Sequence, residues 1–223
     1  MSARGRMGLL CLCLGLALLI GALGLYQSNR REALEAEIAS REVMEELAAA
    51  IEAGREPPPE RPAEEPDEPA PEAVAEPDGT PPEALPPDER PMESIAVEDY
   101  RCIGFLTIPA LELELPVLED CDEERMKIAP CRYSGSLAGG DLVIAAHNFQ
   151  RHFGGLMRLP IGSEVIFTDV RGESTRFTVA ELEQLREEET ERMIAGEYGL
   201  TLFTCTYSGV TRYTVRCLRS DGP

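Results

Sequence analysis

Hydrophobic and polar positions divide the chain into stretches of four different textures. Residues 8–26 carry no charge, and residues 27–55 mix charged and apolar positions at helical spacing. Proline and glutamate dominate residues 56–93, and short β-like runs alternate with turn residues from 94 to 223. This pattern predicts an apolar helix, a charged helix, an extended linker and one folded, mostly β domain.

The apolar stretch 8–26 has the length of a membrane-spanning helix. A helix of its 19 residues would be about 28 Å long, close to the roughly 30 Å thickness of the hydrocarbon core of a bilayer. We interpret it as a transmembrane anchor rather than a cleaved signal peptide, because no clear A-x-A cleavage motif follows it. Two arginines precede it and two follow it, namely Arg4, Arg6, Arg30 and Arg31. This near balance slightly favours residues 1–7 as a cytoplasmic N-terminus.

The next two stretches predict a stalk and a spacer. Residues 27–55 are strong helix formers with one rough apolar stripe, formed by Leu34, Ile38, Leu47 and Ile51. They are interpreted as an amphipathic or coiled-coil stalk, and a solvated helix without a partner is the alternative. Residues 56–93 are too poor in apolar side chains to fold, so a disordered linker is expected to hold the following domain away from the membrane.

Residues 94–223 carry the signals of a small β domain. The expected strands are 104–108, 112–117, 142–146, 164–168, 176–182, 200–204 and 211–218, and short helices are expected at 122–128 and 187–195. Many strands with few helices favour a closed or nearly closed β-barrel over a doubly wound sheet.

Composition narrows the possible functions. The chain has 41 acidic and 21 basic residues, a net charge of −20, so a protein that binds the phosphate backbone of nucleic acids is not expected. His147 and His152 do not have a recurring metal-ligand spacing, no Cys-x2-Cys occurs, and no metal or organic cofactor is predicted. Four cysteines of the β domain could form two disulfides, and reduced, buried packing is favoured for them: Cys102, Cys121, Cys131 and Cys217.

One histidine has a position that suits an active site. His147 follows the apolar run Leu142–Ala146, which places an imidazole at the mouth of a buried strand. A structural histidine that caps this strand is the alternative. His152 lies in the following loop and is interpreted as surface or loop packing.

A cysteine and an arginine should meet across a hairpin. If Ser208 and Gly209 form a two-residue turn, Cys205 lies opposite Arg212, with Cβ atoms about 5 Å apart on one face. A cation favours the thiolate and can stabilise an oxyanion, so this pair suits acyl transfer. A buried structural cysteine beside an exposed arginine is the alternative.

These features together resemble the sortases, cysteine transpeptidases of Gram-positive cell surfaces, over roughly Tyr100–Arg219. The run Thr201-Leu202-Phe203-Thr204-Cys205 matches the family's TLxTC motif, and Ala146-His147-Asn148 is similar to class B or D sequences. The connection between Ala180 and Leu200 is shorter than the helical insertion of class B. The resemblance implies a sortase-type closed barrel.

The resemblance also implies residue roles and partners. Cys205 would be the nucleophile, His147 the general acid and base, and Arg212 the stabiliser of the oxyanion or substrate, and Thr204 and Asn148 are assigned to substrate binding. The expected substrates are surface proteins with a C-terminal LPxTG-like sorting signal, and the expected acceptor is an amine on a cell-wall precursor or a pilin lysine. The catalytic domain would lie outside the cell membrane. A hydrolytic cysteine peptidase and a stalked, non-catalytic binding domain are the alternatives.

Overall fold

The computed structural model describes residues 3–55, 92–194, 198–206 and 209–220. Helices are α1 (Ala3–Arg55), α2 (Glu123–Ile128) and α3 (Thr190–Ile194). Strands are β1 (Ile95–Val97), β2 (Tyr100–Ile108), β3 (Leu113–Leu118), β4 (Cys131–Ser134), β5 (Leu142–Ala145), β6 (Glu164–Asp169), β7 (Ser174–Arg186), β8 (Leu200–Cys205) and β9 (Thr211–Arg219). Three 3₁₀ turns lie at Pro109–Leu111, Phe153–Arg158 and Glu187–Glu189.

The strands form one sheet that closes on itself. Their order is β1-β2-β3-β4-β5-β8-β9-β7-β6, and β6 pairs back with β2. Strand β1 lies outside the closed ring, as an extra antiparallel partner of β2. Neighbours are antiparallel except β3 with β4 and β5 with β8. The prediction of a mostly β, closed barrel with short helices is confirmed.

Most elements coincide with those expected from the sequence. The seven expected strands correspond to β2, β3, β5, β6, β7, β8 and β9, and β7 is longer than expected at 13 residues. Asp122 caps α2 by accepting a hydrogen bond from the Arg125 amide at 2.8 Å. The second expected helix begins as a 3₁₀ turn at Glu187 and continues as α3, and Ala195 lies outside the described residues. Strands β1 and β4 were not expected, because three or four residues give too little periodicity.

The barrel interior holds the main hydrophobic core. Its largest fully buried side chains include Phe153, Phe167 and Phe177. This core draws on seven strands and the 3₁₀ turn at Phe153, and no residue of α1 belongs to it. The barrel therefore has its own interior, independent of the N-terminal helix.

A second core joins α1 to the outside of the barrel. Its helix side consists of Val43, Leu47 and Ile51, and its barrel side consists of Val97, Cys102, Leu118, Ala129 and Cys131. Ala36 and Ser40 are buried on the same helix face, about two turns and one turn before Val43. The Arg151 guanidinium adds an ion pair to Glu37, with Nε 3.5 Å from Oε1.

The interpretation of residues 27–55 as an amphipathic or coiled-coil stalk did not include the contact of this helix with the barrel. Leu47 and Ile51 of the expected stripe are buried, but Leu34 and Ile38 are 48% and 58% exposed. The face that contacts the barrel includes Ala36 and Ser40, which a hydrophobicity pattern does not single out. Burial here depends on where the barrel lies, and helical spacing alone does not contain that information.

The N-terminal half of α1 carries a long apolar surface. Among the described residues, one helix is long and apolar enough to cross a membrane. Its candidate range is Leu12–Gly54, within which an 18-residue window has a mean hydropathy of 1.5. Its leucines from Leu12 to Leu25 are 58–70% exposed. Such a surface is what a lipid-facing helix presents.

Residues 56–91 lie outside the described residues, so the disordered linker stays a prediction. The described part resumes at Met92, which packs against the barrel core. The four domain cysteines Cys102, Cys121, Cys131 and Cys217 are all free, and all except Cys121 are buried. Burial raises the pKa of Cys102 to about 11 and that of Cys217 to about 12. Reduced packing of these four cysteines stays a prediction.

Candidate active site

Two parallel strands bring His147 and Cys205 to one edge of the barrel. Strands β5 and β8 pair in register, with Ala145 opposite Phe203, so residues 147 and 205 leave them at the same level. The Ala146 amide donates to the Phe203 carbonyl at 3.2 Å. His147 and Cys205 line one cleft of about 940 Å³.

The β8–β9 hairpin brings Arg212 to Cys205. The two residues are directly opposed in the antiparallel register, as the sequence predicts. Ser208 of the expected turn lies outside the described residues. The Arg212 guanidinium donates to the Gly209 carbonyl at 3.0 Å. Cys205 and Arg212 also line a second, smaller cavity of about 190 Å³.

Packing, rather than a carboxylate, orients the His147 ring. It stacks on Phe149, with ring centroids 4.0 Å apart and planes 28° from parallel. Its buried Nδ1 has no hydrogen-bond partner within the described ranges. The loop is held by the Phe153 amide, which donates to the His147 carbonyl at 3.2 Å. A Cβ at Gly154 would lie 2.5 Å from the Asn148 carbonyl oxygen, so this tight loop requires glycine there.

The electrostatic surroundings favour a neutral His147. Burial lowers its pKa, and the positive charge of Lys127 lowers it further. The negative charges of Glu32 and Glu123 partly oppose this effect. A larger fraction of this imidazole is therefore neutral at pH 7 than of an ordinary histidine, so it can accept a proton from an amine.

The two predicted substrate-binding residues have different positions. Asn148 lines the large cleft beside His147. Thr204 is 2% exposed, and its hydroxyl donates to the Ala146 carbonyl at 2.8 Å. This bond joins the ends of β5 and β8 and so helps to position His147 and Cys205. Substrate binding by Thr204 and Asn148 stays a prediction.

His152 is buried in the loop that follows His147. It is fully buried, and its ring lies 5.6 Å from that of Phe149, centroid to centroid. Burial first, and then the charge of His147, lowers its pKa to about 4. His152 was expected to be at the surface or packed in the loop. The buried position agrees with loop packing and not with a surface position.

A buried arginine holds the segment next to the small cavity. Arg216 is 2% exposed and pairs with Glu183, with Nε 3.1 Å from Oε1. Its guanidinium also donates to the Met193 carbonyl at 2.8 Å and to the Arg192 carbonyl. These bonds tie α3 to β9. Because α3 lines the small cavity with Thr190 and Met193, Arg216 shapes that cavity without entering it.

Sequence reasoning missed the residues that α1 adds to the large cleft. These are Tyr26, Asn29, Arg30, Glu32 and Ala33. They precede His147 by more than a hundred positions, and no local motif connects them with it. It also missed Cys121 and Tyr133, which line the small cavity. Among the described residues, no group of three or more His, Cys, Asp or Glu side chains could hold a metal ion.

Comparison with known proteins identifies the family that this architecture belongs to. The family model described as a sortase domain matches residues 106–220, which is more than half of the chain. The chain belongs to the sortase family. Among curated proteins, none matches it closely enough to count as a relative.

Solved sortases share the fold of this sortase. One is sortase A from Corynebacterium diphtheriae, with 23% identity and a TM-score of 0.51, matched over 56% of this chain and 63% of that chain. Another is sortase C1 of GBS Pilus Island 1, with 21% identity and a TM-score of 0.50, over 55% of this chain and 66% of that chain. Each match spans less than two thirds of the neighbour. These identities show a common fold, and the class B or D assignment stays a prediction.

Proposed function

We propose that this sortase is a membrane-anchored cysteine transpeptidase. It cleaves an LPxTG-like sorting signal, holds the N-terminal part of the substrate as a thioester on Cys205, and transfers it to an amine on the cell wall or on a pilin. The observation that carries this proposal is the position of Cys205 between the cleft that contains His147 and the cavity that contains Arg212.

The acylation step follows from these positions. His147 takes the proton of the Cys205 thiol and becomes an imidazolium. The thiolate Sγ attacks the carbonyl carbon of the scissile peptide bond, and the negative charge develops on the carbonyl oxygen. The Arg212 guanidinium stabilises this oxyanion. The C–N bond then breaks, and the leaving nitrogen takes a proton from the His147 imidazolium. The product is a thioester and a free amine.

The transfer step reverses these roles. The incoming amine attacks the thioester carbonyl and gives a proton to His147, which is now neutral. The C–S bond breaks, and the electron pair returns to Cys205 as thiolate. The lowered pKa of His147 supports its action as a base in this step. Protein side chains supply every group that these two steps use.

The membrane location is part of the proposal. The exposed leucines of α1 support insertion of residues 8–26, with residues 1–7 in the cytoplasm and the barrel outside the cell. The positive-inside count only slightly favours this orientation, so the family resemblance carries it. Cysteine labelling with a membrane-impermeant reagent on intact cells tests it, since the orientation requires that Cys205 react from outside.

Intact mass spectrometry tests the chemistry. The full-length chain in detergent is incubated with a pool of LPxTG-like peptides, beside the Cys205→Ala variant and a matched Cys13→Ala variant, whose cysteine lies in the apolar half of α1. We expect an adduct with the mass of the peptide's N-terminal part on the wild-type chain and on Cys13→Ala. An adduct on Cys205→Ala, or no adduct on any chain together with an inert Cys205 thiol, would refute the proposal.

The same reaction separates the transpeptidase from the hydrolase. Product release that increases with added amine supports transfer, whereas release that is independent of amine supports the cysteine peptidase. Arg212→Ala should lower the rate of adduct formation by about 10²–10³, as the loss of an oxyanion donor does in other enzymes. Adduct formation at the wild-type rate would remove Arg212 from the mechanism.

A further inference from the structure

The two cavities that meet at Cys205 differ in the catalytic group each contains. The large cleft contains His147, and the small cavity contains Arg212. Of these two spaces, among the described residues, Arg212 lines the small cavity alone and His147 the large cleft alone. Cys205 lines both, so the two spaces border on this residue.

This separation indicates which part of the substrates lies in each space: the acyl part in the small cavity and the amine in the large cleft. The oxyanion belongs to the acyl part of the substrate, which therefore lies toward Arg212. The amine nitrogen exchanges a proton with His147 both when it leaves and when the acceptor arrives, so it lies in the large cleft. An acceptor amine that binds there must approach along the wall formed by α1.

That wall carries one anionic side chain, Glu32, which can pair with an ammonium group, beside the cationic Arg30. Asn29, Arg30 and Glu32 of α1 line the cleft opposite the loop that carries His147 and Asn148. The Glu32 carboxylate is close enough to His147 to act on its charge. An amine is protonated before it reacts, so it enters as a cation and needs a nearby anion and a base.

We propose that the large cleft is the acceptor site of this sortase and that Glu32 holds the ammonium form of a primary amine beside His147. The proposal rests on the proposed transpeptidase function and adds the place and the charge that select the acceptor. Glu32 is a specificity residue for the second substrate. It belongs to the N-terminal helix and not to the barrel.

Partitioning of one acyl-enzyme tests this assignment. The full-length chain in detergent forms the thioester with a sorting-signal peptide, and mass spectrometry measures the ratio of aminolysis to hydrolysis products at pH 7. The cationic probe is glycylglycinamide, and the neutral probe is hydroxylamine. Both products come from the same intermediate, so the ratio does not depend on the rate of acylation.

The sign of the response identifies an electrostatic role. Glu32→Gln should lower the ratio for glycylglycinamide roughly two- to fivefold, the upper part of the range for one exposed ion pair. Arg30→Gln removes a cation from the same wall and should raise this ratio. Neither variant should change the ratio for hydroxylamine. Glu32→Asp should retain most of the wild-type ratio.

Glu45→Gln is the matched control, because it makes the same charge change about 20 Å along the helix. It should leave both ratios unchanged. An unchanged ratio in Glu32→Gln, or an equal change for both probes, would overturn the proposal while leaving the transpeptidase function intact. If no thioester forms on the wild-type chain, the proposed function itself has failed.

Discussion

Leu47 should contribute more to stability than an otherwise similar leucine on the same helix. Leu47 is fully buried between α1 and the barrel, whereas Leu34 is 48% exposed. Truncation of a fully buried leucine to alanine costs about 3–5 kcal/mol through lost transfer energy and the cavity that remains. Leu34→Ala removes much less buried area, and we expect it to cost about 1 kcal/mol or less.

The two variants are a matched pair, because the same substitution in the same helix has the same effect on helix propensity. The difference between them therefore measures how strongly α1 is docked. Urea unfolding of the full-length chain in detergent, followed by circular dichroism of the β signal, gives both free energies of unfolding. Equal values for Leu47→Ala and Leu34→Ala would refute the docking of α1 against the barrel.

Three further predictions concern charged and titratable groups. The pKa of His152 is about 4 when folded and about 6.5 when unfolded, so the unfolded chain binds this proton first and stability falls as the pH drops from 6.5 to 4. His152→Phe should remove up to about 3 kcal/mol of this loss of stability between pH 7 and pH 4. Urea unfolding at the two pH values measures it, and a midpoint difference equal to that of the wild-type chain would contradict the prediction. The rate of acylation should follow a bell-shaped pH profile, and its acid limb should lie below the ordinary pKa of histidine, about 6.5, because burial and Lys127 lower the pKa of His147. Lys127→Gln removes this cation and should move the acid limb to higher pH. A profile that is flat from pH 5 to 9 would argue against the catalytic pair. Arg216→Ala should destabilise the chain by about 3 kcal/mol, because Glu183 and the Met193 and Arg192 carbonyls lose the donors of a buried guanidinium. Arg176→Ala in an exposed pair should cost under about 1 kcal/mol. Thermal unfolding compares the two variants, and similar losses of stability would contradict a stabilising role for the contacts of Arg216 with Glu183 and α3.

Local signals made much of the barrel predictable. The strands that alternate apolar and polar residues between turn residues were found to within a few positions. The opposition of Cys205 and Arg212 was also predictable, because a short hairpin fixes its own register. Strand β4 was missed because four residues between Pro130 and Gly135 carry no clear period.

Long-range contacts were beyond the reach of sequence patterns. The residues alone gave no reason to place His147 beside Cys205, which is 58 positions away, and only the family resemblance joined them. The role of Glu32 depends on α1 lying against the barrel, and that contact depends on the shape of a surface built by β1, β2, β3 and α2. A stripe drawn on the helix alone selected Leu34 and Ile38, which the barrel does not cover.

The separation of the two cores has a consequence for the order of assembly. The barrel interior contains no residue of α1, so the barrel can fold before the helix finds its place. Docking of residues 36–51 must wait until β2, β3 and β4 have formed the outer face that carries Cys102, Leu118 and Cys131. Residues 36–51 precede the barrel in the chain and reach their native contacts after it. Until the helix docks, the chain has its proposed nucleophile and base but lacks one wall of its larger cleft.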